Sequence, residues 1–283
     1  MNIRDIRKKI KSVKNVRKIT NAMHMVSAVK MKKAQRTALE GREYRQVLFS
    51  ILHTLLQSPG LRELRLPLLT PSLGTKKLYV LLTSNKGLCG AFHTRLFQFV
   101  MKNFNSQNTE FIAFGQKGSQ FIVHSSRHLL ADFTSKATRD DTVSALYSFI
   151  EDKFLTGEYE SVSLVYNSFV NSMKSIPVCQ QIMPIMSVDA IENTDAQNTN
   201  MKFDLEPSAE IVLPRLLQDY IREKLRSACA DSEASEHSAR MMAMKTATDN
   251  AQEVTDSLTL MRNTVRQTHI TNELLDMVAG MNT

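Results

Sequence analysis

A chain of 283 residues with 42% apolar side chains can fill one or two hydrophobic cores. No window approaches the ~18 uninterrupted apolar residues of a membrane-spanning helix, and the basic opening Met1-Asn2-Ile3-Arg4-Asp5 has no apolar stretch of the kind a secretory signal carries. Cys89, Cys179 and Cys229 form no CxxC pair and are expected to be reduced thiols in a cytosolic compartment.

Residues 1–58 are expected to form one helix. Ile3, Ile6, Ile10, Val13, Val16, Ile19, Met23 and Val26 recur every three or four positions, with one short step near Val16 that would overwind a coiled coil locally. Pro59-Gly60 ends the run. The net charge of +8 is concentrated here. The first 60 residues hold 14 Lys and Arg against Asp5, Glu40 and Glu43, a local +11, and the remainder of the chain is net acidic at −3. A basic arm suits nucleic acid, acidic lipid or an acidic protein surface, and charge alone does not choose among them.

Residues 59–75 read as a Pro-punctuated linker, and residues 76–186 as a small α/β domain. Leu78–Leu82 is a short continuous apolar run, hence a buried strand, and a glycine-containing turn from Ser84 to Gly90 follows it. Further strands are expected at 111–114, 128–133, 161–170 and 177–185, with helices at 92–104, 116–124 and 142–155. This alternation implies a mostly parallel, Rossmann-like sheet. Residues 187–206 are polar and turn-rich, a surface connection.

Residues 207–283 are expected to form the second long helix. From Arg215 to Ala279 there is neither glycine nor proline, and such a run gives a helix on the order of 100 Å long at about 1.5 Å per residue. Met244, Ala247, Ala251, Val254, Leu258, Met261 and Val265 alternate at steps of three and four, the pattern of a seam against a partner helix. Past Val265 the seam positions become polar at Thr268 and Asn272, and the apolar stripe moves to Ile270, Leu274, Met277 and Val278. The natural mate is the N-terminal helix. The fold class expected is therefore α/β, with a long antiparallel coiled coil of the two terminal helices and a small α/β domain inserted between them.

No catalytic constellation is apparent. The turn Asn85-Lys86-Gly87-Leu88-Cys89-Gly90 occupies the place of a nucleotide-binding loop but is neither GxGxxG nor a P-loop. Cys89 with His93 four residues on could suggest a thiol nucleophile, yet no orienting third group is visible, and a small buried Cys in a tight turn is the ordinary reading. The seven histidines form no HExxH and no cluster of metal-ligand spacing, so neither a metal nor a cofactor is expected.

Several stretches resemble the gamma subunit of F-type ATP synthases, of the bacterial type. Ile10 to Met31, with its Lys18-Ile19-Thr20-Asn21-Ala22-Met23 core, is similar to the N-terminal pattern of that family. Thr83 to Gly90 resembles its SDRGLCG turn, and Phe203-Asp204-Leu205-Glu206-Pro207-Ser208 its entry to the last helix. Ser235 to Asn250 is similar to its SExxARMxAMKxATDNA block, and Arg266 to Leu274 to its RQAxITxEL ending. Asn85, Lys86, Asn21 and His24 depart from the common residues. The resemblance implies a non-catalytic central-stalk rotor. It would transmit torque between a membrane c-ring and a catalytic ring of alpha and beta subunits, contact an epsilon subunit, and lie peripherally on the cytoplasmic face of a bacterial inner membrane. It further implies rotor–stator contacts at Lys18, Met23 and Arg240, facing an acidic lever loop, and at Arg266, Gln267, Thr271 and Glu273, in an upper catch region. Two other readings compete. One is a basic coiled-coil nucleic-acid-binding protein, against which stands the lack of interleaved aromatic residues before Tyr44. The other is an α/β enzyme with helical oligomerisation arms.

Overall fold

The computed structural model describes residues 2–57, 66–70, 72, 74–104, 108–134, 139–185, 206 and 208–281. The expected surface connection at 187–206 and half of the linker lie almost wholly outside them. In chain order the elements are α1 (Ile3–Gln57), β1 (Lys76–Leu82), α2 (Phe92–Asn103), β2 (Thr109–Phe114), α3 (Gln116–His124), β3 (His128–Asp132), α4 (Arg139–Leu155), β4 (Tyr159–Asn171), β5 (Lys174–Met183) and α5 (Ala209–Met281). The chain divides into two compact units. One comprises residues 1–29 with 240–283, the other residues 30–239, and α1 and α5 each contribute to both.

The second unit is built on a five-stranded sheet in the order β3-β2-β1-β4-β5. β1 pairs in parallel with β2 and β4, β2 in parallel with β3, and β5 closes the edge antiparallel to β4. A parallel sheet is covered on both faces, which is why β1 is a continuous apolar run rather than an alternating one. Leu78, Val80 and Leu82 point to one face. There they join Ile112, Val162 and Leu164, and are covered by Leu146 and Ile150 of α4, Leu48 and Leu52 of α1, and Leu217 and Ile221 of α5. Tyr79 and Leu81 point to the other face, with Phe111 and Val165, under Leu96 and Val100 of α2 and Ile122 of α3. Fully burying one such Leu, Ile or Val contributes roughly 1.5–3 kcal/mol, so these two layers hold the sheet.

One glycine is required by this packing. Gly115 has φ +108°, and a Cβ there would meet the carbonyl oxygen of Thr83 at 2.5 Å. At Gly41 of α1 a Cβ would lie 2.5 Å from the Glu223 carboxylate of α5, the end of a side chain that can shift aside.

In the first unit, the buried residues of α1 are Ile6, Ile10, Thr20 and Ser27, with Val13 and His24 half-buried. Those of α5 are Arg240, Met244, Ala251 and Thr255, with Thr248, Leu258, Arg262 and Val265 half-buried. The helices touch at Thr20 and Thr248, whose hydroxyl oxygens lie 2.8 Å apart with Thr248 donating. This corrects the phase expected from the apolar pattern. Val16, Ile19 and Val26 are 49%, 60% and 56% exposed, and Val254 and Met261 are 47% and 46% exposed. The covered line keeps the heptad step through hydroxyl residues instead. The reason is that a helical threonine can satisfy its own hydroxyl. Thr20 donates to the Arg17 carbonyl at 3.0 Å and Thr255 to the Ala251 carbonyl at 2.7 Å. A covered hydroxyl that keeps a backbone acceptor of its own carries little polar cost.

Candidate functional site

The turn after β1 is the place to look for chemistry, and its side chains are occupied with structure. Thr83 accepts a hydrogen bond from the Gly118 amide at 2.9 Å, and its hydroxyl faces the carbonyls of Phe114 and Gly115 at 3.1 and 3.2 Å. Leu88 sits at φ +61° and Gly90 at φ +55°, so the chain reverses sharply into α2. Cys89 is 3% exposed, with its Sγ 3.8 Å from His93 Nε2, whereas Ser84 Oγ lies 2.9 Å from the same nitrogen. A thiol this buried, with the imidazole nearer a hydroxyl, is a packing residue rather than an activated nucleophile.

In open α/β sheets, ligands enter beyond the carboxyl ends of the strands where the strand order reverses. Here that point lies between β1 and β4. Ser235 of α5 donates to the Asn167 carbonyl in the second half of β4 at 2.9 Å, and Asn167 Nδ2 donates to the Phe92 carbonyl opening α2 at 3.1 Å. Helices α5 and α2 are thus tied to β4 across the usual crevice. Among the described residues no group of three or more His, Cys, Asp or Glu is arranged to hold a metal, and no helix is long and apolar enough to cross a membrane.

The seven residues singled out from the sequence all fall in the first unit. Lys18 is exposed and Met23 half-buried on α1. Arg240 is 8% exposed, so its guanidinium is largely covered within the chain. Arg266, Gln267, Thr271 and Glu273 are exposed on α5. Thr271 donates to the Gln267 carbonyl at 3.0 Å, and Glu273 pairs with His269 at 3.0 Å. His269 was not among the residues picked from the sequence, although its spacing four before Glu273 on a helix is the signal for such a pair.

Around these residues lies surface that water alone does not suit. Ile270, Leu274 and Met277, the stripe expected to leave the seam, are 48%, 52% and 60% exposed. On α1, no Lys, Arg, Asp or Glu occurs between Lys18 and Lys30, and Ile19, Met25, Val26 and Val29 within that stretch are 54–69% exposed. A helix segment apolar on several faces belongs inside a larger body of protein.

Two long terminal helices on an α/β domain, with uncharged helix surface left uncovered, define a subunit that works inside a larger assembly. The family model described as ATP synthase matches residues 2–283. The ATP synthase gamma chain of Methylacidiphilum infernorum (isolate V4) is 37% identical over 97% of this chain and 96% of its own length. That of Opitutus terrae is 37% identical over 98% of this chain and 97% of its own. Among solved structures, a chain of the Euglena gracilis mitochondrial ATP synthase (OSCP/F1/c-ring) superposes with a TM-score of 0.67 at 18% identity, covering 99% of this chain and 93% of that one. A chain of the Tetrahymena thermophila mitochondrial ATP synthase central stalk and c-ring gives 0.60 at 22% identity, covering 81% and 99%. The chain belongs to the ATP synthase gamma chain family and is a non-catalytic rotor subunit of the central stalk.

Proposed function

We propose that the segments of α1 and α5 in the first unit form an antiparallel coiled coil that turns inside a ring of alpha and beta subunits. On this reading residues 1–58 and 207–283 are the two coiled-coil helices, and the α/β domain of residues 76–186 meets the epsilon subunit and the c-ring. The complex stands on the cytoplasmic face of a bacterial inner membrane. Torque passes between ring and domain, and ATP chemistry takes place in other subunits.

The observation that carries this reading is the charge-free stretch from Ile19 to Val29 in an otherwise strongly basic helix. A bearing must be gripped loosely at every angle. Apolar side chains suit this, because they make non-directional contact, whereas fixed ion pairs would hold one angle. Lys18 at its edge, with Met23 and the less exposed Arg240, offers contact to an acidic lever loop. Arg266, Gln267, Thr271 and Glu273 engage the catch region above. Charge complementarity there sets register and timing more than affinity. The same stretch argues against nucleic acid, since it interrupts the basic strip where a phosphate backbone would track it.

The test is Val26→Asp in the assembled complex. Val26 is 56% exposed, so the substitution should leave the chain's own stability within about 0.5 kcal/mol. Ion-driven ATP synthesis should fall at least tenfold while the purified chain unfolds at the wild-type temperature. Synthesis at the wild-type rate in a fully assembled mutant would remove the bearing from this stretch.

A further inference from the structure

A half-closed cavity of about 320 Å³ lies wholly within the second unit. Arg42 and Arg45 of α1 and Lys224 of α5 line it, with Asp231 as its one acid and Tyr166 and Tyr220 as walls. Three cations face one carboxylate. Lys224 Nζ lies over the Tyr220 ring at 5.2 Å and, among the described residues, forms no ion pair. Burial alone pulls its ammonium below the usual lysine range. Arg45 Nη1 is buried with no hydrogen-bond partner. Asp231 does not balance them. Burial pushes its carboxyl up, against Arg45, a Ser168 hydrogen bond and Arg42, all of which pull it down. Arg45 and Lys224 are half-buried and Arg42 is exposed; a covered donor such as Arg45 Nη1 is costly without an acceptor, and an anion supplies one.

We propose that this cavity binds a phosphate ester, its oxygens taken by Arg45, Lys224 and Arg42 and its organic group set against Tyr166 and Tyr220. A guanidinium fork beside an ammonium matches a tetrahedral oxyanion. The volume corresponds to about ten waters at ~30 Å³ each, more than inorganic phosphate fills. The ester comes either from a soluble metabolite or from a phospholipid headgroup.

Titration calorimetry of the full-length chain at low salt tests this with two probes, glycerol phosphate and dihexanoyl phosphatidylglycerol below its micelle concentration. At least one should bind saturably, and the tighter of the two identifies the source. Arg45→Gln and Lys224→Gln should each weaken that binding at least tenfold. Arg42→Gln, at an exposed position, should weaken it severalfold. Lys33→Gln, exposed on α1 outside the cavity, should leave it unchanged. Saturable binding by neither probe overturns the proposal, as does binding that Arg42→Gln and Arg45→Gln leave at the wild-type affinity.

Discussion

Arg240 and Arg266 carry the same charge on the same helix but stand in opposite environments, one 8% exposed and the other on the exposed surface. Reversing the buried one should therefore act first on the chain itself. Arg240→Glu is expected to cost about 3–5 kcal/mol, because the new charge is covered and loses the partners of the old one. Arg266→Glu should change stability by under about 0.5 kcal/mol and act only in the complex. Denaturant unfolding of the two purified chains, beside ATP-driven ion pumping of the two complexes, separates these effects. Equal unfolding midpoints would mean that Arg240 is not held as described. A second residue-scale expectation concerns Glu110 at the start of β2. It accepts from Tyr159 at 2.5 Å and from Lys76 at 3.0 Å. Desolvation pushes its carboxyl up, but these two donors, with Lys76 and His128 nearby, outweigh that and hold it below the usual carboxylate range. A lowered folded value means stability present above about pH 4.3 and lost as the pH falls through the folded value. The advantage of the wild type over Glu110→Gln should shrink steadily from pH 6 to pH 3. A difference that does not change with pH would contradict the assignment. None of this cluster was legible in the sequence. Lys76, Glu110, His128 and Tyr159 stand at the starts of four different strands, and only the parallel register of the sheet brings them together.

At the scale of elements, the alternation of strands and helices was readable because buried parallel strands are unbroken apolar runs, as β1 and β2 are. The length of α5 was readable because Gly and Pro are absent from Arg215 to Ala279. The face each long helix buries was not. Counting apolar residues placed Val16, Ile19, Val254 and Met261 inside, whereas Thr20, Ser27 and Thr255 are covered. The count fails because these surfaces serve two masters. A helix that must also meet other subunits keeps apolar residues outside, and a back-bonded threonine behaves as a small apolar side chain inside. Adjacent residues test the phase. Thr255→Asp, at 4% exposure, should destabilise the purified chain by about 3–5 kcal/mol, since a carboxylate there is desolvated without a partner. Val254→Asp, at 47% exposure, should cost under about 1 kcal/mol. Thermal unfolding of both variants decides. The reverse order of midpoints would restore the phase read from the apolar pattern.

For the whole molecule, the seven residues proposed as contacts come from resemblance to a family, not from chemistry visible in the chain. Their types, a methionine, a threonine and a glutamine among charged residues, carry no signature apart from a partner. The exposed apolar stripe on α5 was legible, because Ile270, Leu274 and Met277 leave the heptad line in the sequence itself. The central claim is that this chain turns while the ring around it stays still. Its cysteines offer a direct test, since Cys179 on β5 is exposed while Cys89 and Cys229 are buried. Partial burial holds the Cys179 thiol above the usual range, so labelling is best run above neutral pH, where more thiolate is present. A gold particle attached there, on a complex immobilised through its catalytic ring and supplied with ATP, reports rotation by light scattering. The account predicts stepwise rotation in one direction, at a rate that follows ATP hydrolysis. A particle that stays fixed while the same complexes hydrolyse ATP would contradict it.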